Sequence, residues 1–171
     1  PEDRQAAGLI LSFSIAENLI LNVQRLDGYR WKPLKGFKLF RGWWAILNRN
    51  RINADAAGLI RRYDVRTTDA SAPARSLSGG NQQKVVIARE LSQEPALLVC
   101  VNPTRGLDIR STSYVHKRLL EQRQQQRAVL LISTELDEIL ALSDRMFVMY
   151  KGLLTEATQF RHELSKIGML M

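Results

Sequence analysis

The apolar positions of this chain change period about half-way along it. In the first half they recur at helical spacing. Ser14-Ile15-Ala16-Glu17 is a capping-box pattern, with Ile15, Leu19 and Val23 forming a stripe behind it. Residues 53–63 put Ala56, Ala57, Leu59 and Ile60 on one side of a helix, and Gln82 to Leu91 is a strongly helical segment. Between them lie a basic loop at 28–42, dotted with Tyr29, Trp31, Phe37 and Phe40 and followed by Trp43 and Trp44, and a polar linker at 67–73. The second half alternates two periods. Behind Pro95, the run Leu97-Leu98-Val99-Cys100-Val101 has the length and content of a buried parallel strand. A helix over 109–125, a strand over 128–133, a helix over 135–142 and a strand over 145–150 come next. Lys151-Gly152 is then a turn before 153–156. This alternation predicts an α/β unit with parallel strands crossed by helices. The tail from 159 to 171 reads as a short amphipathic helix docking through Phe160, Leu164 and Ile167.

Composition fits that picture. With 171 residues, 45% of them hydrophobic, the chain can bury a real core in one or two lobes. Its longest apolar runs are strand-sized, too short to span a bilayer as a helix. Cys100 is the single cysteine, so no internal disulfide forms, and its place in an apolar run predicts a packed structural thiol. The charge of +8 raises nucleic-acid binding as a rival class of function. The basic residues are scattered, however, and no RNA-reading aromatic motif accompanies them. A solvated surface, with contact to anionic headgroups as a secondary use, is the favoured reading.

The candidate chemistry begins at Leu77-Ser78-Gly79-Gly80-Asn81-Gln82-Gln83-Lys84. A hydroxyl and two glycines open a helix, whose N-terminus carries unpaired N–H groups and partial positive charge. Ser78 can cap and donate, while Gly79 and Gly80 let the backbone approach a phosphate closely. Serine caps are common, and the motif taken alone also suits an ordinary loop-to-helix junction.

The residues C-terminal to this motif resolve the ambiguity. A strand, Pro103-Thr104-Arg105-Gly106-Leu107-Asp108, a helix, a second strand and Ile132-Ser133-Thr134 form one ordered series. The series resembles the second half of an ATP-binding cassette (ABC) ATPase. Pro1-Glu2-Asp3-Arg4, Ser14 to Leu19, and Ala74 to Lys84 narrow the resemblance to the second, C-terminal cassette of tandem ATPases that drive bacterial nucleoside and simple-sugar importers. The phosphate-binding pattern Gly-x-x-x-x-Gly-Lys-Ser/Thr occurs nowhere in these residues. The resemblance therefore implies an incomplete P-loop NTPase core, its phosphate-loop part missing, beside an α-helical subdomain, and the chain is read as a fragment. The expected divisions are 1–76 for the helical subdomain with its basic aromatic insert at 28–49, 77–157 for the signature helix and the core, and 158–171 for the C-terminal helix.

The resemblance also assigns positions. Leu77, Ser78, Gly79, Gly80, Asn81 and Gln82 would serve ATP held, with Mg²⁺, mainly by a partner cassette. Asp108 would lie at the seam between cassettes, and equally suits an N-cap before Ile109. Glu2 takes the place of a glutamine near the transporter interface. By alignment on Pro103-Thr104, Val101 stands where the family has the magnesium-binding aspartate, Asn102 where it has the glutamate that polarises water, and Thr134 where it has a histidine. Valine offers magnesium no oxygen, and an amide is no general base. No catalytic residue is thus expected within the chain, and the isolated fragment is expected to be inactive. The implied partners are the first cassette of the same polypeptide, two membrane permease subunits and, indirectly, a substrate-binding protein, and the implied place of the chain itself is peripheral, at the cytoplasmic face of the membrane. Nucleic acid is not expected. The alternative is a soluble ABC-type protein that binds nucleic acid or ribosomes through its basic surface.

Overall fold

The computed structural model describes residues 8–23, Tyr29 and 48–170. Glu2 and almost all of the basic aromatic insert, expected at 28–49, lie outside the described residues. The chain divides into two compact units, one of residues 1–95 with 106–108, the other of 96–105 with 109–171.

The first unit is helical. Its helix α1, Ile15–Ile20, is only six residues long, too short to persist alone. Two things hold it. The predicted capping box is complete: the Ser14 hydroxyl accepts from the Glu17 N–H at 3.1 Å, and the Glu17 carboxylate accepts from the Ser14 N–H at 2.8 Å. Ile15, Ala16, Leu19 and Ile20 are moreover buried, against α2 (Arg49–Arg62) and α3 (Gly79–Leu91). Buried Asn18 fixes the loop ahead of α1, its amide exchanging hydrogen bonds with the Ile10 backbone and donating to the Ser14 carbonyl. From α2, Ile52 and Ala56 enter the core, while Ala57, Leu59 and Ile60 are only partly covered. Val85, Val86, Ala88 and Leu91 supply the inner face of α3. This packing puts α3 in the first compact unit, which runs to Pro95.

In the second unit, β1 (Leu97–Val101) and β2 (Ala128–Ile132) pair in parallel, in register from Leu97↔Ala128 to Val101↔Ile132. Helix α4, Ile109–Gln124, makes the crossover and buries Val115 and Leu119. Full burial of the strands does not occur among the described residues. Leu97, Val99, Leu130 and Ile132, on one face of the pair, are each about half exposed. A parallel strand is buried on both sides only when both faces are covered. The last two strands also depart from the parallel expectation. β3 (Phe147–Tyr150) and β4 (Leu153–Glu156) form a separate antiparallel hairpin. Its turn has φ of 46° at Lys151 and 80° at Gly152, the primed geometry that matches strand twist.

Helix α5 (Leu136–Leu142) and the tail enclose a small core of Met146, Val148, Ala157 and Ile167. The tail is not one helix. A 3₁₀ turn at Thr158–Phe160 precedes α6, Leu164–Met169. Ile167 is fully buried and Phe160 packs at the edge of the cluster, but Leu164 is exposed. Among the described residues, no helix is long and apolar enough to cross a membrane.

Candidate functional site

Helix α3 starts at Gly79, three residues ahead of the segment read as strongly helical. Ser78 is its N-cap residue, with extended backbone at φ −61° and ψ 156°. The first α-helical bond runs from the Gln82 N–H to the Ser78 carbonyl, so the N–H groups of Gly79, Gly80 and Asn81 point out of the helix end ahead of it. The expected capping bond is absent: the Ser78 hydroxyl caps no N–H of α3. It accepts instead from the Asn81 side-chain amide at 3.0 Å, and Ser78 is exposed. Asn81 is oriented in turn by the Arg66 N–H, which donates to its Oδ1 at 2.9 Å. The end of the helix is therefore braced from outside, with a hydroxyl held beside the N–H groups.

Two residues assigned to the ATP-binding group sit elsewhere. Leu77 is buried in the core. Gln82 is 3% exposed, and its amide donates to the carbonyls of Ala74 and Leu77 at 3.4 and 3.3 Å. At the fourth helical position its side chain follows the apolar stripe inward, so it braces the loop and does not reach outward. The outward-facing set is Ser78, Gly79, Gly80 and Asn81. Further down α3, Lys84 bonds the side chain and carbonyl of Asp64, both at 2.6 Å, which ties the helix to the end of α2.

The substituted positions lie together in the second unit, where β1 and β2 end. Asn102 follows β1 with φ of 44°, in the left-handed region that asparagine tolerates better than glutamate. Its side-chain oxygen accepts from the Thr134 N–H at 3.1 Å and lies 3.5 Å from the Thr134 hydroxyl. The oxygen available at this position is thus occupied by backbone. With Val101 contributing none, these positions do not fit a magnesium ion. Among the described residues no cluster of three or more metal-binding side chains occurs. Asp108 is exposed and immediately precedes α4.

Two further features were not foreseen. Glu138 on α5 is 4% exposed and accepts from the Thr104 hydroxyl at 2.9 Å, with His116 Nε2 at 3.1 Å from the same oxygen. A Leu-Asp-Glu sequence at the start of a helix looks like a solvated first turn, so only the fold reveals the burial. A cavity of about 660 Å³, lined by residues that include Leu120, Arg123 and Arg127, lies at the opposite end of β2 from Thr134. Cys100 is partly buried, and burial pushes its thiol up to about 11.

Comparison with known proteins places these features in a class. No protein-family model matches the chain. Solved ATP-binding cassettes of ABC transporters share its fold. One cassette matches with a TM-score of 0.70 at 20% identity, over 99% of this chain and 67% of its own. Another, a dimer bound to ADP and phosphate, matches with a TM-score of 0.60 over 89% of this chain and 60% of its own. The chain has the fold of part of an ABC ATPase cassette.

Sequence relatives are more specific. The guanosine import ATP-binding protein NupO of Bacillus subtilis is 45% identical over 152 residues, 89% of this chain and 28% of that protein. The nucleoside import ATP-binding protein NupA of Lactococcus lactis is 42% identical over 175 residues, all of this chain and 32% of that protein. A ribose import ATP-binding protein of Rubrobacter xylanophilus is 39% identical over 94% of this chain. Over nearly its whole length the chain is similar to part of the ATP-binding proteins of nucleoside and sugar importers. It spans about a third of the length of these relatives.

Proposed function

We propose that this chain powers nucleoside or simple-sugar import as part of the second cassette of a tandem ATPase, by lending its signature to ATP held on another cassette. The observation that carries the reading is the opening of α3, where exposed Ser78 and the N–H groups of Gly79 and Gly80 converge at a helix N-terminus. A helix end of this kind favours an anion through its dipole and its donors. Glycine at the first two positions leaves no side chain between those donors and a phosphate. Fixed donors respond to the number of phosphates present, so the same group distinguishes ATP from ADP.

The chain's own pocket contributes no hydrolysis in this reading. Val101 cannot hold magnesium, Asn102 cannot act as a base, and Thr134 is neither a cation nor a proton carrier. The motor is therefore asymmetric, with one hydrolytic composite site to which this chain donates Ser78, Gly79, Gly80 and Asn81. Asp108 belongs at the seam between cassettes, and Glu2 near the transporter interface. The partners are the first cassette of the same polypeptide, two membrane permease subunits and, through them, a substrate-binding protein. The working position is peripheral, at the cytoplasmic face of the membrane.

The test is Ser78→Arg in the full-length ATP-binding protein, assembled with its membrane subunits. A bulky cation where the phosphate donors converge is expected to lower ATP turnover about 100-fold, the cost of losing one oriented donor at a reacting oxygen. Substrate uptake falls with it. Unchanged turnover and uptake would remove the cross-cassette role.

A further inference from the structure

We propose that Glu138 is a positioning residue of the ATPase cycle, acting through Thr104 to hold the turn after β1 to the segment after β2. The proposal rests on the cross-cassette reading of the signature. Glu138 is almost fully buried at the start of α5. Its Oε1 accepts from the Thr104 hydroxyl at 2.9 Å and faces His116 Nε2, on α4, at 3.1 Å. Three elements of the second unit thus meet at one carboxylate oxygen. The other oxygen, Oε2, is buried and has no hydrogen-bond partner among the described residues.

That arrangement is a poor way to obtain stability alone. A buried carboxylate with an orphan oxygen is costly, and an apolar side chain of similar size would pack α5 at lower cost. What the acid adds is a directional hold on Thr104. A parallel hold lies beside it, from the Thr134 N–H to the Asn102 side chain at 3.1 Å. Between them, the two clasps make the turn at 102–105 and the segment at 133–138 a single mechanical piece. In the proposed cycle ATP is bound by the partner cassette, so a loosened clasp slows the closing step without weakening the hold on ATP.

The experiment is a steady-state ATPase assay of the full-length ATP-binding protein assembled with its membrane subunits. The variants are Thr104→Val, Thr104→Ser, Glu138→Met and the double Thr104→Val with Glu138→Met. Methionine is of similar size and leaves the Thr104 hydroxyl no carboxylate oxygen to donate to, whereas glutamine would keep an acceptor there. Thr104→Val and Glu138→Met are each expected to lower kcat about tenfold, the factor of a single lost hydrogen bond. The KM for ATP stays within about twofold, because no contact to ATP is removed. Thr104→Ser, which keeps the hydroxyl, retains near-normal kcat. The double variant is no slower than the slower single one, since both changes break the same bond. Thr104→Val is close to isosteric, so it tests the clasp even where Glu138→Met does not fold. An unchanged kcat in Thr104→Val, or effects that multiply in the double variant, would overturn the proposal. Ser78→Arg in the same assembly separates the two ideas. If it abolishes turnover while the clasp variants are normal, the clasp fails and the cross-cassette reading stands. If it is harmless while the clasp variants are slow, the reverse holds.

Discussion

Replacing Asn102 by glutamate would supply the side chain that the resemblance leads one to expect at this position, and the structure predicts a less stable protein with no new activity. Asn102 has φ of 44°, and a left-handed backbone costs an ordinary residue about 1–2 kcal/mol that asparagine largely avoids. Its side-chain oxygen also accepts from the Thr134 N–H at 3.1 Å, a bond at an exposed position worth ~0.5–1 kcal/mol. Asn102→Glu loses both, about 2 kcal/mol together. The amides of β1 and β2 next to the site report this loss through native-state hydrogen exchange, expected to accelerate about 30-fold. Two companions separate the terms. Asn102→Asp keeps the backbone tolerance and an acceptor oxygen, and should exchange nearly as the parent. Asn102→Gly keeps the backbone but loses the acceptor, and should fall between them. ATP hydrolysis does not appear in Asn102→Glu, because Val101 still offers magnesium no oxygen. Exchange as slow as the parent's in Asn102→Glu, or a glycine variant as damaged as the glutamate one, would rule out this explanation.

Two other predictions concern single side chains. Ser14→Ala removes the capping box of α1 and should cost about 1 kcal/mol in unfolding free energy, read from denaturant midpoints. The Ser14 hydroxyl and N–H hold the Glu17 carboxyl below its ordinary value. That contribution is therefore present above the ordinary carboxylate pKa and lost as pH falls through the lower folded value, so Ser14→Ala should flatten the acid side of the stability profile. Cys100, its thiol pushed up to about 11, should alkylate about 100-fold more slowly in the native chain than in denaturant at pH 8. Native labelling within about tenfold of the denatured rate would show that the thiol is not packed.

Local pattern made much of this legible in advance. The strand Leu97–Val101 and the capping box at Ser14 are read almost residue by residue, because each depends on neighbours in sequence. The open face of β1 and β2 was not legible, since an apolar run says that a strand is fit for burial but not what covers it. Signature residues were readable as a motif, but not in their orientation. Ser78 was expected to cap α3, yet its hydroxyl accepts from Asn81, and Gln82 turns into the core because position in the helix outweighs polarity once the loop carbonyls of Ala74 and Leu77 need donors. Glu138 and Asn18 are buried polar residues whose partners lie 34 and 8 positions away, in Thr104 and Ile10. No local signal marks such a residue. The fold alone brings it to its partner.

In the proposed reading this chain offers a helix end to ATP whose phosphate loop is elsewhere. An NMR titration of the chain with MgATP, repeated with inorganic phosphate, probes that idea without any other component. No saturable binding is expected below the millimolar range, with shifts at high concentration confined to Ser78, Gly79 and Gly80. Micromolar binding of MgATP would defeat the reading, because these residues would then hold a complete nucleotide pocket of their own.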